Sequence, residues 1–330
     1  SPDGKWVATQ AGDGLALWPL VRTQPAVIQM DLVRWVGGLE FSPDGRFLAT
    51  AADMKVTLFP LDGRIPAAEH TVFEVEDTLR LFDLAISPDG ELFVTSATGS
   101  RVWIGRDDGR EPIQLPNVEG VFLTFGHDGR LWFNAGDQGF DITTKEGRQL
   151  TSSHDGPYYA GTILTMNEDG SDLKVFAHNF RNPYEMTMDS YGTIWQTDND
   201  DDGNQWTRLN YVMEGGNFGY WGPTGVRWRE DRGTHVHHEL PGIVPDIART
   251  GAGSPTGLIV YEGDLLPQRY RGNLIHSEPG KRHLYTFQVS PSGAGYSMEA
   301  EETVSADDAN WRPSDVAVGL DGSLFLADWY

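Results

Sequence analysis

Seven consecutive residues, Asp198-Asn199-Asp200-Asp201-Asp202-Gly203-Asn204, place four carboxylates within five positions. The D-x-D-x-D-G spacing sets Asp198, Asp200 and Asp202 at alternate positions. Three carboxylates so arranged wrap a hard cation, and the glycine permits the sharp turn. Asp201 and Asn204 add further oxygens, and an all-oxygen set suits Ca²⁺ better than Zn²⁺. The helix-loop-helix calcium motif needs Glu at the twelfth position. Here that residue is Leu209, so the run is no EF-hand. The alternative is a solvated acidic turn, although carboxylates this dense repel one another unless a cation neutralises them.

Other clusters carry weaker signals. In His178-Asn179-Phe180-Arg181-Asn182-Pro183, an Arg beside an Asn before a strand would grip an anion in a fork, or pair with a nearby Asp. His235-Val236-His237-His238-Glu239 sets two imidazoles on one face of an extended segment, a transition-metal or general-base pattern that an exposed polar loop would also produce. Lys281 and Arg312 are isolated cations in an acidic chain, suited to an anionic ligand or to simple ion pairs. A nucleophile elbow, a P-loop and a dinucleotide G-x-G-x-x-G are all missing.

The elements that position these residues are repeats. SPDGKWVAT (1–9), FSPDGRFLAT (41–50) and ISPDGELFVT (86–95) are near copies, and 125–134, 188–197 and 318–327 are looser ones. Each is an apolar alternation, a tight turn ending in Gly, and a second alternation, the pattern of a β-hairpin. Spacing of about 40 to 45 residues is the length of a four-stranded propeller blade. The expected fold is all-β: a single β-propeller over 1–330, with six or seven blades of four antiparallel strands. Residues 1–115 read as plain structural blades. From 116 onward the repeats are interrupted at 136–160 and 199–255, long segments of the kind that carry function on a rigid scaffold.

Acidic residues outnumber basic ones 48 to 25, which argues against nucleic acid and against anionic lipid. With no cysteine, the segment cannot hold disulfides, thiolate zinc or covalently attached haem. No apolar run approaches the ~20 residues of a membrane helix. The sequence opens inside a turn and stops abruptly after Trp329-Tyr330, so it reads as a piece of a longer protein. The missing signal peptide therefore says nothing of location.

Residues 120–330 resemble the soluble quinoprotein glucose/sorbosone dehydrogenase superfamily. They are most similar to the dehydrogenase-like propeller domain fused to cytochromes in planctomycete-type bacteria. The resemblance rests on GDQGFDITTKEGR (136–148), GTILTMNEDGS (161–171), FRNPYEMTMDSYGTIWQTDNDDDGN (180–204), MEGGNFGYWG (213–222), GSPTGLIVYEGDLLPQRYRG (253–272) and RPSDVAVGLDGSLFLADWY (312–330). It implies pyrroloquinoline quinone, calcium, a sugar or alcohol substrate, a cytochrome c electron acceptor and a periplasmic or secreted location. By position it puts Arg181, Asn182, Lys281 and Arg312 against the cofactor and Asp200 and Asp201 in the calcium loop. Three departures stand against it. Leu115–Gly120 lacks the family's general-base His, Ser314 replaces a second cofactor Arg, and Arg208 stands where a metal-binding Glu is frequent. A non-catalytic calcium-binding scaffold and a calcium-dependent lactonase are the alternatives.

Overall fold

The computed structural model describes the chain apart from residues 3–4, 12–13, 20–27, 32–35, 53, 61–69, 76–80, 98–100, 116–121, 154, 200–206, 223–239, 252–254, 320–321 and 329–330. Among the described residues the regular structure is β-strand throughout, save one 3₁₀ turn at Gln268–Tyr270. No helix is long and apolar enough to cross a membrane. Two compact units divide the chain. The first is Ser1–Phe133 with Ile142–Gln149 and Met166–Asp172. The second is Asn134–Asp141 with Leu150–Thr165 and Leu173–Tyr330.

The first unit contains two four-stranded antiparallel meanders. One is Val36–Phe41, Phe47–Ala52, Lys55–Pro60 and His70–Glu74; the other is Leu81–Ile86, Leu92–Ala97, Arg101–Arg106 and Ile113–Leu115. Their S-P-D-G turns follow from local chemistry. Gly45 and Gly90 take φ of 71° and 78°, where only glycine is unstrained, and donate to the carbonyls of Ser42 and Ser87 at 2.8 Å. The turn aspartates accept from the serine hydroxyl and from the amide two residues on, closing the loop from inside. Between the sheets, Ala49, Val56, Phe73, Leu84, Ile86 and Phe93 form one buried cluster.

A second rule acts seven residues before the turn glycine, on the first strand of each meander. At Gly38 the next sheet comes so close that a Cβ would stand 2.6 Å from the Leu84 amide nitrogen. At the matching position, Asp83 instead accepts the Leu123 amide at 2.8 Å. The position is therefore either absent as a side chain or a carboxylate that captures a neighbouring N–H.

The second unit repeats this plan. Pro183–Met188, Ile194–Asp198, Thr207–Val212 and Ala248–Gly251 form one sheet. Leu258–Tyr261, Asn273–Glu278, His283–Ser292 and Gly295–Ser305 form the next. Gly161–Met166 pairs with Lys174–Phe180, and Pro313–Val318 with Leu324–Asp328. Glu185, seven residues before Gly192, accepts the Leu258 amide at 3.0 Å, and a Cβ on Gly257 would lie 2.5 Å from the Val316 nitrogen. Trp195, Leu209, Leu258, Leu274 and Phe287 fill the space between the two four-stranded sheets, with Tyr296 edge-on to Trp195 at 4.8 Å. The interrupted segments are more regular than expected. Phe140–Thr143 and Gln149–Ser152 are strands within 136–160, and 199–255 contains Thr207–Val212 and Ala248–Gly251.

Candidate functional site

In a four-stranded meander the first strand starts, the second ends, the third starts and the fourth ends at one edge of the sheet. Arg181 and Asn182 lie just before the strand Pro183–Met188, and Asp198 ends the next. Thr207 and Arg208 begin the third strand, and Gly251 ends the fourth. In the following sheet, the same edge carries Thr256, Glu278 and Lys281. Arg312 precedes Pro313–Val318 and Asp328 ends its partner. The edges meet at Thr256, whose hydroxyl lies 3.0 Å from the carbonyl oxygen of Ser277 and 3.3 Å from that of Pro313.

The Arg181–Asn182 turn is held from below. Asp198 Oδ1 accepts the Asn182 amide at 2.8 Å, and Oδ2 accepts the Arg181 amide at 3.1 Å. Arg208 Nη2 pairs with the same Oδ2, and its Nη1 donates to the Phe218 carbonyl at 2.7 Å. Asp198 is thus an anchor of the turn, its two oxygens taken by protein groups. Asp200, Asp201, Asp202 and Asn204, the rest of the expected calcium run, lie outside the described residues, as do His235, His237, His238 and Glu239. Among the described residues no group of three or more His, Cys, Asp or Glu is placed to hold a metal ion.

Beside the turn stands His178. Its Nδ1 accepts the Tyr159 amide at 3.2 Å, and its ring lies between those of Tyr158 and Tyr159 at 5.6 and 5.8 Å. Burial pushes its pKa down to about 4, so it is neutral with the proton on Nε2. The next residue, Asn179, is fully buried at φ 69° and bonds through its side chain to Asn217 and to the backbone of Trp221, fixing the 217–221 segment.

Lys281 belongs to a separate built feature. Glu278 is completely buried and accepts the Gly280 amide at 3.2 Å on Oε1. On Oε2 it accepts the hydroxyls of Thr250 at 2.9 Å and Thr207 at 3.2 Å. His276 Nε2 lies 3.8 Å from that oxygen, and its Nδ1 donates to the Gly257 carbonyl at 3.0 Å. Glu278 so fixes both the turn that carries Lys281 and the strand end that Lys281 covers. Gly251 completes the seat. A Cβ there would stand 2.7 Å from Lys281 Cε and 3.0 Å from Nζ, and the φ of 96° favours glycine whatever the lysine does. Lys281 itself is exposed. Arg312 is tied at its backbone to Asp328 at 2.8 Å, while its Nη1 donates to the Trp311 carbonyl at 2.8 Å.

The structure sets Arg181, Asn182, Lys281 and Arg312, the cofactor contacts expected from the sequence, at or beside strand ends on one edge. The sequence reading did not single out Glu278, Thr207, Thr250 or His276, which surround the Lys281 turn. The available signal was a run of polar residues, His276-Ser277-Glu278, closing an otherwise apolar strand directly before the basic turn.

Residues 117–330 match the family model described as domain of unknown function (DUF7133), and 33–59 match the WD domain, G-beta repeat. None of the curated proteins matches the sequence. The chain is similar in structure to the soluble aldose sugar dehydrogenase of Escherichia coli in its apo-form, at 16% identity and a TM-score of 0.61, covering 88% of this chain and 92% of that one. It is similar to the PQQ-bound aldose sugar dehydrogenase of Streptomyces coelicolor, at 17% identity and 0.57, over 88% and 87%. A calcium structure of the Trichoderma reesei carbohydrate-active enzyme family AA12 matches at 14% and 0.54, over 89% and 90%. The fold is that of the β-propeller dehydrogenases.

Proposed function

The chain belongs to the DUF7133 family, and from that premise we propose that it is a quinoprotein dehydrogenase-like propeller domain. It oxidises a sugar or an alcohol with pyrroloquinoline quinone, outside the cytoplasm, and a cytochrome c accepts the electrons. The observation that carries this reading is the seat of Lys281. The exposed Lys281 side chain passes over Gly251, in a turn whose Gly280 amide the buried Glu278 holds, at the edge where Arg181, Asn182 and Arg312 also stand. The quinone bears carboxylates, and cations held on rigid strand ends fit such an anion.

When bound, the quinone supplies a hydride acceptor. The chain's own contribution is orientation by Lys281, Arg312 and the Arg181–Asn182 turn, with the half-exposed Thr250 hydroxyl on Glu278 as a path for a substrate proton. Any calcium would be held by the run from Asp200 to Asn204, since Asp198 has its oxygens engaged. A second reading, a propeller that binds an anionic ligand without oxidising a substrate, is favoured by the lack of His in Leu115–Gly120 and by Ser314.

Calorimetry with the quinone and Ca²⁺ on the wild type and on Lys281→Ala tests binding, and dye reduction across a sugar panel tests turnover. Binding that Lys281→Ala weakens at least tenfold, together with dye reduction, is expected. Binding without turnover selects the second reading. No binding by the wild type refutes the quinone assignment.

A further inference from the structure

The D-x-D-x-D-G run reads as a cation loop headed by Asp198, yet that carboxylate is already satisfied. Two backbone amides and one guanidinium converge on it, and both side chains of the ion pair are buried: Asp198 is 0% exposed and Arg208 4%. The pairing is dictated by the sheet. Asp198 and Arg208 are direct cross-strand partners in the antiparallel register, so both side chains emerge on one face. The second guanidinium nitrogen is fixed by the carbonyl of Phe218, whose ring stacks on Phe180 at 4.3 Å. A divalent ion approaching Asp198 would meet a like charge that cannot swing aside without stranding the Phe218 carbonyl and a buried carboxylate.

We propose that Arg208 is the resident cation of this turn. It does for Arg181 and Asn182 what a divalent ion would do at the head of such a loop, so the turn is complete without metal. An ion bound further along, from Asp200 onward, does not use Asp198. The inference concerns the same turn as the proposed function, but its readout needs no quinone and no activity.

The experiment is amide NMR on the deuterated full chain, following the Arg181 and Asn182 N–H signals through a CaCl₂ titration and then chelation. In the wild type these signals stay in place, whether or not the melting temperature responds to Ca²⁺. In Arg208→Gln they shift and become sensitive to Ca²⁺. A saturable Ca²⁺ shift of either amide in the wild type would overturn the proposal, and that arm needs no variant to fold. An Arg208→Gln protein with both amides and the melting temperature unchanged would overturn it equally.

Discussion

In the first unit, Glu40 and Asp83 stand on neighbouring first strands and accept amides of the next sheet, Ile86 at 3.1 Å and Leu123 at 2.8 Å. Burial, and then the charge of Asp83, push the Glu40 pKa up to about 8, so at neutral pH it is largely protonated. In the second unit, Asp198 also accepts two amides, but a guanidinium lies against it. The same backbone-capturing role is thus filled once by a carboxyl that keeps its proton and once by a carboxylate with its own cation. The first arrangement ties sheet to sheet. The second stiffens a loop at a strand end, where a ligand would be met.

The largest test of that contrast is Asp198→Ala. It leaves Arg208 buried without its partner and frees two amides, and should cost about 3–5 kcal/mol in denaturant unfolding. Glu40→Gln keeps an acceptor for Ile86 and should cost under about 1 kcal/mol at pH 7. Equal losses would break the distinction. Next are the close approaches the units share. Gly38→Ala and Gly257→Ala each push a methyl against a backbone nitrogen of the adjacent sheet, and each should lose about 1–3 kcal/mol. Similar values for the pair would show that one spacing rule governs both units.

The units should also differ in pH dependence, with opposite signs. Between 4.5 and about 8, folded Glu40 keeps a proton that the unfolded chain has lost, so its contribution weakens as pH rises. Between 6.5 and about 4, the unfolded chain protonates His178 and the folded one does not, so that contribution weakens as pH falls. Melting temperatures across pH 4 to 9 should show the alkaline decline flattened in Glu40→Gln and the acid decline flattened in His178→Gln.

The hairpins were legible because their chemistry is local: an Asp two residues and a Gly three residues after the Ser are enough to close the turn at Ser42–Gly45 and Ser87–Gly90. The strand Ala248–Gly251 was not, since Ala-Arg-Thr-Gly has no apolar alternation and is half-exposed along its length. The acidic run was visible, but the protein partners of its first member were not. Asp198 meets Arg208 through strand register, and a count of carboxylates cannot show which of them a cross-strand cation has already taken. Glu278 was passed over because its burial shows only indirectly, in the polar run His276-Ser277-Glu278 that closes an apolar strand.

The turn at Asp189–Gly192 has a practical use. Asp189 Oδ1 holds it by accepting the amides of Tyr191 and Thr193, and Tyr191 projects at 91% exposure. The strand Ile194–Asp198 separates it from the Arg181–Asn182 turn by roughly 17 Å at about 3.3 Å per residue. Because the sequence contains no cysteine, Tyr191→Cys would give a lone thiol for attaching the molecule to an electrode or a surface. The protein would then stand with its strand-end cations facing outward into solution.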